Sequence, residues 1–334
     1  MVPSSIAIEQ AKSADWGASP LKPFLQLGPR AAHLGRLKVG KFQSHDADHL
    51  QAIATTFVRG YNVMFGAAPI SRLDDIHDQI SVSLRGFLVE GAAMGAAVRD
   101  GMVLQAGLLS ALHTRYHSKY QYLIQVGSGW ALARMPWISR RLFQTLPPEL
   151  YTLTLDGRGF HNTFFKPERA LHGLTVKCQG LAGGAYDQGV GRALWFVSLA
   201  DLETTLSSVE RAHPSRQANL LSGLGLAMSY AGPSRMQDFK NVCDSFPAHQ
   251  AAFMQGVSFA ITALDAAGAV RPELQVLSSQ LLGAPYREIV PAIENDRPSD
   301  GPSSFQDSLE AYEVWRNRTR LRFLNLINTS QFEV

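Results

Sequence analysis

Apolar positions recur at helical spacing along most of this chain. After Ser71, the residues Ile76, Ile80, Leu84 and Phe87 follow one another at intervals of three or four, the period of a helix with one buried face. Leu202, Leu206 and Val209 repeat it. Ser71 with Asp74, Ser198 with Asp201 and Ser304 with Asp307 have the spacing of capping boxes, which mark helix starts. Pro147-Pro148, Gly180–Gly184, Gly232-Pro233 and Asp296–Ser304 read as loops. Tyr151–Leu155 alternates in the manner of a strand, but strand signals are few, and the pattern predicts an all-α protein.

A glycine motif recurs six times on top of this pattern. The copies centre on Gly91, Gly127, Gly157, Gly189, Gly223 and Gly256, which lie 36, 30, 32, 34 and 33 residues apart. A period near 33 suits a two-helix unit. Gly127, Gly189 and Gly223 each open the pattern G-x-G-x-A. Gly91/Gly95, Gly127/Ala131, Gly189/Ala193, Gly223/Ala227 and Gly256/Ala260 place small residues four apart, on one helix face. Glycine inside a helix costs roughly 1 kcal/mol against alanine, so its repetition points to tight helix packing. The predicted fold is about six helix pairs forming a helical solenoid or a closed α/α ring. Residues 1–45 read as an irregular arm, 46–293 as the helical-repeat body, 294–304 as a loop and 305–334 as a basic C-terminal helix packed on the body, with Arg316, Arg318, Arg320 and Arg322.

Composition narrows the class. The chain has 334 residues, 46% of them hydrophobic and 18% charged, with a net charge of +3. That is a globular, somewhat apolar protein with too mild a charge to imply nucleic acid. Cys178 and Cys243 form no C-x-x-C pair and read as reduced thiols of a cytoplasmic protein. Residues 1–16 carry Glu9, Lys12 and Asp15 and lack the apolar core of a signal peptide. Phe246–Leu264 contains no Asp, Glu, Lys or Arg, but its His249, Gln250, Gln255, Ser258 and Thr262 favour a buried helix over a membrane span.

Candidate chemistry follows from the repeat register. The residue before each repeat glycine is Glu90, Val126, Asp156, Gln188, Ser222 and Gln255, a mostly polar row in apolar surroundings. Equivalent positions in stacked repeats share one surface. Such a row either ties repeats together by internal hydrogen bonds or lines a pocket. The functional version selects Glu90, Asp156 and Asp187 as candidate acids, because carboxylates against apolar walls have raised pKa values. His161 joins them because it stands where other copies carry Gly or Ala. Arg134 and Arg192 follow G-x-G motifs in apolar runs and need an acceptor or an anionic ligand; a structural ion pair of either with Asp187 or Glu90 is the plain alternative. Trp130, Phe160, Trp195, Gln188 and Gln255 complete the expected substrate-binding set. Asp74-Asp75-x-x-Asp78 has the D-D-x-x-D spacing that can hold Mg²⁺, although Asp74 and its neighbours also suit a helix N-terminus. His113 and His117 are four apart with no metalloprotease glutamate between them. No P-loop, G-x-G-x-x-G or G-x-S-x-G motif is present.

Arg85–Met94, Gly127–Arg134, Leu155–His161 and Asp187–Phe196, taken in order, resemble the UnbL family, a bacterial domain of unknown function associated with enediyne gene clusters. The likeness runs from about residue 30 to about residue 325. It implies a role in natural-product biosynthesis near polyketide-derived polyenes and names no reaction. Joined to the residue reading, the expected protein binds an apolar polyene or isoprenoid in a helical pocket and acts as an acid-initiated cyclase or isomerase without a cofactor. One rival is a Mg²⁺-dependent terpene cyclase using Asp74, Asp75 and Asp78. The other is a non-catalytic binding or scaffold protein that docks biosynthetic partner enzymes.

Overall fold

Bare patches of backbone, where glycine leaves no side chain, organise the fold. The computed structural model describes residues 27–34, 45–66, 68–102, 107–176, 180–232, 234–298 and 301–331. Cys178 and most of the arm, 1–26 and 35–44, therefore lie outside the described residues. The described residues form sixteen α-helices and no strand. They are α1 (Pro29–Ala32), α2 (His45–Phe65), α3 (Ile70–Gln79), α4 (Val82–Met102), α5 (Leu108–Arg134), α6 (Ser139–Thr145), α7 (Leu153–Phe165), α8 (Pro167–Gly173), α9 (Gly180–Val197), α10 (Leu202–Glu210), α11 (Pro214–Tyr230), α12 (Met236–Ser245), α13 (Gln250–Ala266), α14 (Pro272–Leu281), α15 (Tyr286–Asn295) and α16 (Phe305–Gln331).

The repeat motif sits on α4, α5, α7, α9, α11 and α13, and each packs against the next. Shorter helices carry the chain between them. α5 does both jobs: it kinks at Tyr120 (φ −135°, ψ 23°), and its second half carries the motif. A Cβ added at Gly127 would overlap the Glu90 carbonyl oxygen, and one at Gly189 would overlap that of Asp156. Gly157, Gly223 and Gly256 meet the carbonyls of Val126, Gln188 and Ser222 in the same way. The first glycine of each copy thus rests on the residue preceding the glycine of the previous copy. The second glycine of G-x-G faces the following helix: Gly129, Gly159, Gly191 and Gly225 rest on the carbonyls of Thr154, Tyr186, Leu220 and Phe253. Two residues turn a helix by about 200°, so G-x-G opens both flanks at one level.

The same contacts reveal a seventh copy in α2. Gly91 rests on the carbonyl of Phe57, and Gly60 on that of Leu88. Here Val58 takes the place of the first glycine, and no described helix of the row precedes α2. At the far end, Ser258 replaces the second glycine of α13. Among the described residues the row holds seven such helices, and it curls back on itself. Phe87 of α4 stands edge-on to Tyr230 of α11 at 5.3 Å. His49 of α2 bonds the Ala231 carbonyl at 2.8 Å, and α5 touches α13. The C-terminal helix α16 lies against α13 and reaches α9.

Several local expectations change. Gly180–Gly184 is the first turn of α9, not a loop. Tyr151–Leu155 is a turn that enters α7. Ser71 lies inside α3, whose N-cap is Pro69. Asp201, not Ser198, is the N-cap of α10. Ser304 accepts the Asp307 backbone N–H at 3.1 Å, and Asp307 accepts the Ser303 backbone N–H at 3.1 Å. The Phe246–Leu264 stretch supplies the buried α13. No described helix is long and apolar enough to cross a membrane.

Candidate functional site

The residue before each repeat glycine faces the inside of the curled row. Glu90, Asp156, Gln188, Ser222 and Gln255 are all buried, and most of them form one hydrogen-bonded chain. Arg192, four residues after Gln188 and so on the same face, donates to Asp156 at 2.5 Å and lies 3.8 Å from Glu90. Gln188 donates to the other Asp156 oxygen at 3.0 Å and to the Tyr312 hydroxyl at 2.8 Å. The Ser222 hydroxyl lies 3.2 Å from the Gln188 amide oxygen and 2.9 Å from that of Gln255; its single proton serves one at a time.

Both Asp156 oxygens are thus satisfied, by a cation and by an amide. Glu90 has a poorer setting. Burial pushes its carboxyl up to about 7; Arg192 opposes that rise and Asp156 reinforces it. The Trp130 indole N–H also favours the charged form, although it lacks a partner of full hydrogen-bond geometry. On Arg192, burial works against the charge, and Asp156 and Glu90 outweigh it, so its pKa stands above the ordinary value.

The charged group separates two small apolar cavities. One, of about 40 Å³, is walled by Phe57, Phe87, Trp130, Phe160 and Phe164, with Glu90 and Arg192 at its inner end. Its rings form a packed series: Phe57 to Trp130 at 4.5 Å and Trp130 to Phe160 at 4.9 Å. The Arg192 guanidinium stands 5.2 Å from the Phe160 ring. Leu27, Ala31 and Ala32 cover this cavity. They are held by a clasp of side-chain amides, in which Asn62 bonds both backbone groups of Leu27 and Gln51 bonds Ala32 and Leu34. The other cavity, of about 50 Å³, has Asp156, Gln188 and Arg192 at its base and Tyr122, Tyr230, Phe259, Tyr312 and Trp315 around it.

The structure brings Glu90, Asp156, Arg192, Gln188, Gln255, Trp130 and Phe160 together. It places the other candidates elsewhere. Asp187 is one residue off the inward stripe and pairs with both arms of Arg216 on α11, one of the contacts being 3.0 Å. Arg192 therefore pairs with Asp156 and Glu90, not with Asp187. Arg134 is exposed at the end of α5, over the Phe165 ring and bonded to Tyr61. Trp195 donates to the Gly232 carbonyl at 3.0 Å and packs in the core. His161 sits beside the aromatic wall, edge-on to Trp130 at 5.7 Å. Burial lowers its pKa to about 4, and its Nε2 has no hydrogen-bond partner. Asp74 is taken up by Arg115 at 3.1 Å and the Tyr116 hydroxyl at 2.5 Å, and Asp78 by His77 at 3.0 Å. No group of three or more His, Cys, Asp or Glu gathers as metal ligands among the described residues. His113 and His117 stack at 5.3 Å. Cys243 is half-buried, its thiol pushed up to about 11 by burial. Tyr230, Phe259, Tyr312 and Trp315 went unmarked in the sequence: Tyr312 and Trp315 reach the site only because α16 folds back across α13.

No curated protein and no solved structure gave a match to the chain. The model of a family described as a protein of unknown function, DUF1702, matches residues 22–323, and with nearly the whole chain inside that match, the protein belongs to this family.

Proposed function

We propose that the interior of the curled row is a proton-transfer site for an apolar, unsaturated molecule, with Glu90 as the acid. The observation that carries this reading is a buried carboxyl lining an aromatic-walled cavity, its pKa pushed up to about 7 by burial. A dry acid with a pKa close to the working pH is suited to donate a proton. Protonation of a carbon–carbon double bond leaves a carbocation, and the faces of Trp130, Phe160 and Phe57 offer negative π density to it. Loss of a proton from a neighbouring carbon back to the Glu90 carboxylate ends an isomerisation or cyclisation without any oxidant. Asp156, itself held by Gln188, fixes Arg192, and Arg192 limits how far the Glu90 pKa rises.

Each cavity has room for no more than a few water-sized groups, at roughly 10–15 Å³ apiece. A polyene enters only when the clasp of Asn62 and Gln51 releases residues 27–34. The resemblance to enediyne-cluster proteins directs the substrate class towards polyketide-derived polyenes. The Mg²⁺ rival gains little support, because Arg115 and Tyr116 already occupy the Asp74 carboxylate. The scaffold rival would need an open polar surface, and the polar row is buried.

The test compares extracts of the producing strain, a deletion strain and a deletion strain carrying Glu90→Gln. The product lost on deletion should return with the parent gene and stay absent with the variant, at equal levels of folded protein. Parental product from Glu90→Gln removes the acid role.

A further inference from the structure

Two arginines on α16 lie outside the machinery described above and carry more positive charge than their surroundings neutralise. Arg316 is fully buried. It donates to Glu313 at 3.0 Å and to the Asn219 amide oxygen, and its Nε has no partner. Arg320, one turn on, donates to the same Asn219 oxygen at 3.2 Å, and its buried Nε is also unpartnered. Two guanidiniums therefore share one neutral acceptor and one carboxylate. Burial and the repulsion of Arg316 lower the Arg320 pKa to about 9. His249 stands near enough for Arg320 to disfavour its charged form. The neighbouring wall is the start of α9, which has no acidic residue in its first turn. A Cβ at Gly184 would lie 3.6 Å from Arg316 Nη1 and 3.1 Å from Asn219 Nδ2, so α9 presents bare backbone to both groups at this point. Buried charge without a counter-ion is costly, and paired guanidiniums match the oxygens of carboxylates and phosphates.

We propose that Arg316, Arg320 and Asn219 bind an oxyanion, the head group of the molecule whose apolar part enters the ring. The link is Tyr312, four residues before Arg316 on the same helix. Its ring lies 5.8 Å from the Arg316 guanidinium, and its hydroxyl accepts from Gln188 at the base of the cavity. The ligand is then an amphipath with a carboxylate or phosphate head. This inference rests on the proposed function for the tail, whereas the head-group site stands on its own.

Titration calorimetry of the full chain with inorganic phosphate, pyrophosphate and octanoate, at ionic strength held constant with NaCl, tests it. At least one of these should bind, at least tenfold more weakly to Arg320→Gln and Arg316→Met, with partial recovery in Arg320→Lys. If Arg316→Met fails to fold, the two Arg320 variants decide. Binding of pyrophosphate or phosphate alone identifies a phosphate head, and binding of octanoate alone a carboxylate. No binding by any probe, or equal binding by Arg320→Gln, overturns the site. Glu90→Gln should bind the anion as the parent does. An active Glu90→Gln with intact anion binding removes the acid chemistry and leaves this site. An inactive Glu90→Gln without anion binding in the parent does the reverse.

Discussion

Replacing Glu90 with Gln should change how stability depends on pH. The Glu90 pKa rises from the ordinary 4.5 to about 7 on folding, so the folded chain holds this proton more tightly than the unfolded chain. Stability from the group is then complete below pH 4.5 and lost as pH rises through about 7. At about 1.4 kcal/mol per pH unit, the parent loses about 3 kcal/mol across that window, most of it above pH 5. Glutamine keeps the shape and cannot titrate. His161 acts in the opposite sense: its pKa falls from 6.5 to about 4, so its contribution is full above pH 6.5 and is lost as pH falls through 4. The two slopes overlap and partly cancel in the parent, so the informative quantity is the difference between variant and parent. Urea unfolding at intervals from pH 5 to 8, followed by circular dichroism, supplies it. Glu90→Gln should gain about 2–3 kcal/mol on the parent over that range. A difference that stays flat would mean that Glu90 titrates as an ordinary surface carboxylate, and the dry-acid argument would fall with it.

His161→Asn should fall further below the parent above pH 6.5 than at pH 5, because the parent gives up the stability of a neutral buried imidazole as pH falls and asparagine has none to lose; the same pH series reads this, and equal differences at both ends refute it. Gly127→Leu, Gly189→Leu and Gly223→Leu should each cost about 1–3 kcal/mol or more by overpacking against a neighbouring carbonyl. Gly173→Ala, with nothing near its added Cβ, serves as the control, and melting temperatures unchanged in all three variants would contradict the packing account. Arg216→Met should destabilise by about 3–5 kcal/mol, since it takes the cation away from the fully buried Asp187 carboxylate. A normal urea midpoint for that variant would show that the pair contributes little.

The repeat and its helical class were legible because close packing imposes a backbone requirement, and only glycine meets it. The inward polar row was legible for the same reason, since the register of the glycine fixes which neighbour faces the interior. Asp187 was mistaken for a site acid because adjacency in sequence was read as adjacency in space. One residue around a helix is about 100°, enough to send it to Arg216. The α2 copy escaped notice because Val58 stands where the motif has glycine. Ser71 and Asp74 looked like a cap, but Tyr116 and Arg115, some forty residues away, claim the carboxylate. Long-range choices of this kind, like the passage of Tyr312 over the cavity, leave no local trace.

The two end copies lack the glycine that would face outward, Val58 on α2 and Ser258 on α13. Each outer flank therefore carries a side chain where most inner flanks are bare backbone. The number of repeats is written into the termini of the row, and the width of the interior follows from that number. Duplicating a central unit would preserve every glycine contact along the row. It would also separate α2 from α11 and α5 from α13, where the row now closes. A larger binding chamber in this architecture thus comes from counting one more helix rather than from trimming the aromatic walls, and the new closure would have to be found between partners that have never met.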